Sequence, residues 1–299
     1  MSAARIVPIT MNPPRTDCPG VDFTLGALLS DIPHDGALVG RVGQEPVLVS
    51  RCEGRVFAIS GKCTHYGAPL AKGLIGAGVV RCPWHHAWFD LRTGVALAAP
   101  AFDALDAWKV EIEGDRFFVR NRQEALPAAP ARARRPGEPG SIVIVGGGAA
   151  GFSAAEMLRR LGYGGALTML SADNTSPCDR PNLSKDYLAG AAPEEWIPLK
   201  NDDFYKQHAI DLRLVVEATA IDTDTRQVVT ASGKRFRFEA LLLATGAEPV
   251  RLSTPGFDRH NVYTLRSLKD ARAIIAASGG AQKAAVIGAS FIGWEVATS

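Results

Sequence analysis

The feature that most restricts the fold is a strand, a glycine-rich turn and a helix in unbroken succession. Ile142-Val143-Ile144-Val145 is a short continuous apolar run, and Gly146-Gly147-Gly148-Ala149-Ala150-Gly151 follows it directly as GxGxxG. Ala150, Ala154, Leu158 and Leu161 then recur at helical spacing, which predicts one apolar helix face. A strand that is apolar throughout expects cover on both sides, so the second half of the chain should be an α/β domain with a parallel sheet. Gly146 permits the tight turn, Gly148 lets the backbone approach a pyrophosphate, and Gly151 lets helix and strand pack closely. Gly146, Gly148, Ala149, Ala150 and Gly151 are therefore the expected anion-binding turn at the helix N-terminus. The acid expected about 20 residues further on is not cleanly present. Ser171 sits near that place and Asp173 follows it, so Ser171 is the candidate and the ribose contact stays unassigned.

The pattern recurs 142 residues later. Ala284-Ala285-Val286-Ile287 predicts a strand, followed by Gly288-Ala289-Ser290-Phe291-Ile292-Gly293, in which serine replaces the middle glycine. Gly288 and Gly293 are its cofactor-binding candidates. Ser267-Leu268-Lys269-Asp270 reads as a capping box ahead of a helix with Ala271, Ile274 and Ile275 as its apolar face and Gly279-Gly280 as its stop. Between the two motifs, the apolar strand Leu241-Leu242-Leu243-Ala244 runs into Thr245-Gly246.

The first half has a different rhythm. Ala37 to Val42, Val47 to Arg51 and Val56 to Ile59 are separated by Gly43-Gln44, Glu53-Gly54 and Gly61, the spacing of hairpins in a small antiparallel domain. The stretch from Leu126 to Gly140 carries four prolines, four alanines and three arginines without an apolar period, which marks a linker. Two Cys/His pairs stand in the first half, Cys63-Thr64-His65 and Cys82-Pro83-Trp84-His85, with 16 residues between His65 and Cys82. Each pair can give one thiolate and one imidazole to a shared metal site. Two cysteines and two histidines also make a structural zinc set, although a zinc finger pairs its cysteines together and places its histidines on a helix. On an iron pair, thiolates suit the buried ferric iron, and imidazoles on the other raise the potential to about −150 to +300 mV.

CTHYGAPL and CPWHHAWFDLRTG resemble the two boxes of a Rieske 2Fe-2S domain. That resemblance implies Cys63 and Cys82 on one iron and His65 and His85 on the other, with His86 a non-ligand at a place often held by glycine. Neither box carries the extra cysteine of the disulfide-bearing variants, as in the soluble ferredoxin-type domains. The two dinucleotide motifs with a Thr245-Gly246 segment between them resemble two-domain flavoproteins of the glutathione reductase fold, in which FAD binds first and NAD(P)H second. Cys178-Asp179-Arg180-Pro181-Asn182-Leu183-Ser184-Lys185 is similar to an element of the ferredoxin reductases and apoptosis-inducing-factor-like proteins, with Cys178 and Asn182 as departures. That likeness implies Lys185 at the flavin ring paired with Glu295, Arg180 among the cofactor contacts, and Thr245 and Gly246 at the junction of the nucleotide sites. No close cysteine pair stands where a disulfide reductase needs one. Cys178 is either a packed thiol or a single peroxidatic cysteine.

The resemblance as a whole is to Rieske-containing apoptosis-inducing-factor-like oxidoreductases. It implies an N-terminal extension (1–20), an antiparallel all-β Rieske domain (21–125), a linker (126–140), the first part of an α/β Rossmann-like FAD domain (141–262) and an incomplete NAD(P)-binding domain (263–299), so a truncated product with weak FAD retention is expected. The implied activity moves electrons from NAD(P)H through FAD to the cluster and on to an unknown protein or small-molecule acceptor. The alternatives are a non-catalytic redox sensor or interaction protein, and the reductase component of a ring-hydroxylating oxygenase.

Composition bears on partners. With 33 basic and 31 acidic residues the formal charge is +2, too balanced to make nucleic acid or an anionic membrane the main partner. No apolar run reaches bilayer length. Five cysteines are an odd number, which argues for metal or redox roles in a reducing, cytoplasmic setting rather than a disulfide framework.

Overall fold

The turn signals at Gly43-Gln44 and Glu53-Gly54 become hairpins, whereas Gly61 leads out of the sheet into the first Cys/His loop. A computed structural model describes residues 20–34, 36–123 and 135–299. The N-terminal extension up to residue 19, Cys18 and most of the linker lie outside the described residues. The chain divides into two compact units, residues 1–127 and 128–299. The segment 263–299 belongs to the second of them.

In the first unit a seven-stranded sheet runs in the order Val21–Asp22, Ala37–Val42, Glu45–Cys52, Arg55–Ser60, Ala107–Glu113, Arg116–Arg122, Ala27–Leu28. Its pairs are antiparallel, except that Val21–Asp22 lies parallel to Ala37–Val42. The strand Glu45–Cys52 is buried on both faces, because alternate residues feed different cores. Val47 and Val49 join Phe23, Ala58, Trp108, Phe117 and Val119. Leu48 joins Ile59, Leu70, Val80, Phe89 and Leu91, and this second core also holds Cys63 and Cys82. Burying a side chain of the size of Leu48 or Ile59 contributes about 1.5–3 kcal/mol, so the cysteine loops rest on a firm base. A smaller sheet, Leu74–Gly76, Val79–Arg81, Trp88–Asp90 and Ala96–Ala98, is a meander of consecutive antiparallel strands.

The second unit carries a parallel sheet in the order Asp211–Arg213, Ala166–Leu170, Ser141–Val145, Ala240–Leu243. Its central strand Ser141–Val145 ends at the glycine turn, and the helix Ala149–Arg160 follows. The buried face of that helix differs from the expected one. Gly151, Phe152, Ala155 and Glu156 are buried, while Ala150 and Leu161 are exposed. The register is set by Phe152, whose ring meets Phe204 and Tyr205 at centroid distances of 5.8 and 6.0 Å. An aromatic residue buries more area than an alanine, and it wins the core-facing position. The strand Ala240–Leu243 forms but is a sheet edge, so Leu243 is 57% exposed. An antiparallel sheet of Ala218–Asp222, Gln227–Thr230 and Arg235–Arg237 contributes Val228 to a core with Val143, Val145, Leu170 and Phe238.

The expected strand Ala284–Ile287 is not formed, and Ile287 is 70% exposed. A strand exists only as part of a ladder, and no described residue pairs with this segment. The helix Phe291–Thr298 after it does form. The capping box at Ser267 has both of its reciprocal bonds, and Leu268 and Ala271 are the buried positions of the helix Leu268–Ser278, whereas Ile275 is exposed.

That helix is tied to the preceding loop by Glu194, whose carboxylate accepts from the Tyr187 hydroxyl at 2.6 Å and from the Arg272 guanidinium at 2.9 and 2.5 Å. The Arg272 and Tyr187 hydrogen bonds hold the Glu194 carboxyl down at about 2. A group depressed in the folded state stabilises above its unfolded pKa and loses that stabilisation as pH falls towards the folded value. The expected outcome is that Glu194→Gln narrows the gap in Tm between pH 7 and pH 3. An unchanged gap would show that the cluster contributes nothing. Both side chains are nearly half exposed, so the effect is small.

Candidate functional site

The two Cys/His loops are geometric copies. The Cys63 N–H donates to Ala68 O at 2.9 Å and the Gly67 N–H to Cys63 O at 2.8 Å; the Cys82 N–H donates to Ala87 O at 2.8 Å and the His86 N–H to Cys82 O at 3.2 Å. The fourth residue after each cysteine is left-handed, Gly67 at φ 70° and His86 at φ 63°. His86 thus occupies the place of a glycine and turns the chain. The first loop is also fastened by the Thr64 hydroxyl, which donates to Asp103 O at 2.8 Å.

This geometry gathers the four candidates in two pairs. Cys63 and Cys82 are both buried, and their thiols lie within hydrogen-bond reach of each other. The rings of His65 and His85 are 5.0 Å apart and nearly perpendicular. Tyr66 and Trp84 pack edge-on against them, at 4.3 Å from His65 and 6.5 Å from His85. Burial pushes the Cys63 thiol up to about 12, the Cys82 thiol adds to the rise, and the His65 backbone N–H, which donates to the Cys63 sulfur, opposes it. Burial holds His65 down to about 4, reinforced by His85, so its ring is neutral at pH 7. Its Nδ1 is buried with no hydrogen-bond partner. A Cys63 thiol that resists ionisation beside a second buried thiol, a neutral imidazole and an orphaned ring nitrogen fit an electrophilic group that accepts from all of them. Among the described residues no three His, Cys, Asp or Glu side chains converge on a point that could hold a single ion. Two separate pairs match the donor set of a two-iron cluster.

In the second unit the glycine turn lies at the carboxyl end of the parallel sheet, where this topology places ligands. Gly146 has φ 126°, and a Cβ there would sit 2.1 Å from Ala244 O and 3.0 Å from Thr245 N. The turn is therefore built against the Ala244-Thr245 backbone, and Thr245 and Gly246 are exposed beside it. Gly151 packs on Gly146 O, where a Cβ would stand at 2.1 Å. The second motif repeats this turn without its strand. Gly288 has φ 115°, and a Cβ at Gly293 would lie 1.9 Å from Gly288 O. Gly148 and Ser290 share one extended conformation, so serine costs the second turn nothing.

Ser171 is buried, and its side chain fills the space over Gly147, where a Cβ would meet Ser171 Oγ at 2.1 Å. Asp173 points instead to Arg180, at 3.4 Å. Arg180 lies near the glycine turn, 3.8 Å from where a Gly148 Cβ would be, and it also hydrogen-bonds the Cys178 thiol. Cys178 is buried among Leu183, Tyr187, Ile197, Leu268 and Ala271. Burial pushes its thiol up, as suits a packed side chain more than a nucleophile. The departure at Asn182 has a local use, since its Oδ1 accepts the Tyr187 N–H at 3.1 Å. Lys185 Nζ and Glu295 Oε1 form an ion pair at 3.0 Å, which joins the Arg180–Ser184 turn to the helix Phe291–Thr298.

Sequence reasoning missed a cleft of about 200 Å³ lined by Ala172, Val215, Val216, Glu217, Thr230, Ala231 and Ser232. It adjoins Ser171, and no local motif signals it because its walls come from three separate segments.

A two-loop iron-sulfur domain and a dinucleotide-binding α/β unit on one chain define a flavoprotein-type redox protein. Residues 140–299 match the pyridine nucleotide-disulphide oxidoreductase family, and residues 25–109 match the Rieske [2Fe-2S] domain. The chain belongs to the pyridine nucleotide-disulphide oxidoreductase family and carries a Rieske domain ahead of its FAD- and NAD(P)H-binding domain. It is 35% identical over 265 residues to apoptosis-inducing factor 3 of Homo sapiens, covering 86% of this chain and 43% of that protein. It is 38% identical to rubredoxin-NAD(+) reductase of Pseudomonas putida over 159 residues, covering 53% of this chain and 41% of the other. The second unit also resembles the crystal structure of the ferredoxin reductase for the CYP199A2 system from Rhodopseudomonas palustris, with TM-score 0.51, 32% identity, and coverage of 53% of this chain and 39% of that one. The chain spans less than half the length of these relatives. No helix among the described residues is long and apolar enough to cross a membrane.

Proposed function

We propose that this chain carries out the electron-entry steps of an NAD(P)H oxidoreductase whose one-electron outlet is its own Rieske domain, with an external acceptor beyond it. The observation that supports this reading is the paired arrangement of Cys63 with Cys82 and His65 with His85, on the same chain as a dinucleotide-binding turn. A flavin accepts the two electrons of a hydride and releases them singly, which is what a one-electron iron-sulfur centre requires.

The residues divide the work. Cys63 and Cys82 hold the cluster from inside, while His65 and His85 hold it from the rim. Gly146, Gly148, Ala149, Ala150 and Gly151 present backbone to the FAD pyrophosphate, with the Arg180 guanidinium beside them. Ser171 and the cleft at Val215 and Thr230 take the adenosine end, and Thr245 and Gly246 border the isoalloxazine and nicotinamide sites. Gly288 and Gly293 form the turn for NAD(P)H, and Lys185 with Glu295 sets the charge near the flavin ring.

The test is anaerobic stopped-flow reduction by NADH or NADPH of protein reconstituted with iron, sulfide and FAD. Flavin bleaching followed by a Rieske EPR signal is expected. Bleaching without that signal would show that the two centres do not exchange electrons.

A further inference from the structure

The ion pair of Lys185 and Glu295 is not self-sufficient. Glu295 has two oxygens: Oε1 meets Lys185 Nζ at 3.0 Å, and Oε2 accepts from the Ser184 hydroxyl at 2.6 Å. Ser184 is 4% exposed, whereas the Lys185 and Glu295 side chains are 48% and 27% exposed. The Lys185 ammonium is also held from behind, since it donates to Pro181 O at 3.0 Å. Among the described residues, the rigid partner of the carboxylate is therefore the buried hydroxyl one residue before the lysine.

The terminal torsion of a glutamate is broad and roughly two-fold. A half-exposed lysine, with several rotatable bonds, cannot fix it and contributes little as a surface pair. A short bond from a buried hydroxyl to a carboxylate oxygen is charge-assisted and directional. With Oε2 pinned by Ser184, the carboxylate plane is set and Oε1 faces Lys185. Because Ser184 is in the Arg180–Ser184 turn and Glu295 in the helix Phe291–Thr298, the same bond also sets the spacing of the two elements.

We propose that Ser184 is a positioning residue for the Lys185–Glu295 pair, acting through the Glu295 carboxylate on the charge presented to the flavin ring. This rests on the function proposed above for that pair. The groups that bear on Glu295 are consistent with it. Burial pushes its carboxyl up, but the hydrogen bonds from Ser184 and Lys185 and the charge of Lys185 outweigh burial, so the carboxyl lies below the ordinary range. Asp179 is the other charged group near Lys185, and burial raises its carboxyl while Lys185 opposes the rise.

Two measurements separate this inference from the function on which it rests. The first is a carbon-13 NMR titration of Glu295 in the cofactor-free protein, comparing wild type, Ser184→Ala and Ser184→Thr. The Glu295 pKa is expected to rise in Ser184→Ala and return in Ser184→Thr, which keeps a hydroxyl at the same atom. An unchanged value in Ser184→Ala would overturn the proposal, whatever the protein's activity. The second is the rate of flavin bleaching by NADH in the reconstituted protein. Ser184→Ala is expected to slow it about tenfold with bound FAD undiminished, and Ser184→Thr to recover most of the loss. Wild type that bleaches no faster than Ser184→Ala would remove the role of Ser184. Wild type that does not bleach at all would instead remove the proposed function, leaving the titration to judge the hydrogen bond.

Discussion

Protein carrying His85→Ala, reconstituted with iron and sulfide, is expected to lose the Rieske EPR signal while retaining FAD as well as wild type does. His85 is exposed at the tip of the second loop, and its ring meets those of His65, Tyr66 and Trp84. Its removal leaves the buried cores intact, so the loss would report ligation rather than unfolding. The control is His86→Gly. That residue stands at φ 63° in the place that Gly67 fills in the first loop, and glycine there relieves a left-handed conformation. His86→Gly should keep the signal and leave Tm equal or higher. A signal that survives His85→Ala and vanishes in His86→Gly would exchange the roles of the two histidines. Metal analysis that returns zinc from wild type would end the iron-sulfur account.

The second large effect is expected at Gly146. At φ 126° only glycine is comfortable, and a side chain would also drive its Cβ to 2.1 Å from Ala244 O. A strained backbone costs about 1–3 kcal/mol by itself, and the clash with main chain adds to it because neither strand can move aside. Gly146→Val should therefore unfold or markedly destabilise the second unit and abolish FAD binding, with the Rieske signal retained. Gly148→Ala is the informative partner. Its backbone is extended, and the nearest atom to an added Cβ is Arg180 at 3.8 Å. The cofactor-free variant should melt like wild type yet bind FAD poorly, because the methyl group stands where a pyrophosphate would approach. Full FAD binding by Gly148→Ala would mean that the ligand does not touch this turn.

What the sequence made legible was local. The hairpins at Gly43-Gln44 and Glu53-Gly54, the capping box at Ser267 and the strand at Ile142 each depend on residues close in the chain, and each took its expected form, while the two Cys/His pairs marked the loops that meet in the first unit. Where the outcome depended on a distant partner, pattern misled. Ala284–Ile287 has the composition of a strand and lacks a ladder to join. The helix after Gly148 offers two apolar stripes, and Phe204 and Tyr205, some 50 residues away, select the one with Phe152. The acid missing near Ser171 is a matter of sequence, and the structure shows what stands in its place. Position 171 is a serine, buried over Gly147, and the nearby carboxylate of Asp173 is drawn to Arg180 instead of standing free at the strand end. The ion pair of Lys185 and Glu295 followed only from family likeness, since nothing in the 109 intervening positions predicts that a turn and a helix meet.

The strand Glu45–Cys52 sends Val47 and Val49 to one side and Leu48 to the other, into the core that also contains both cysteines. Neither layer can melt alone, since each would strip cover from the same backbone. The iron-binding loops are thereby wired into the all-or-none unfolding of the whole β unit, and heat should not release the metal gradually from an otherwise folded shell.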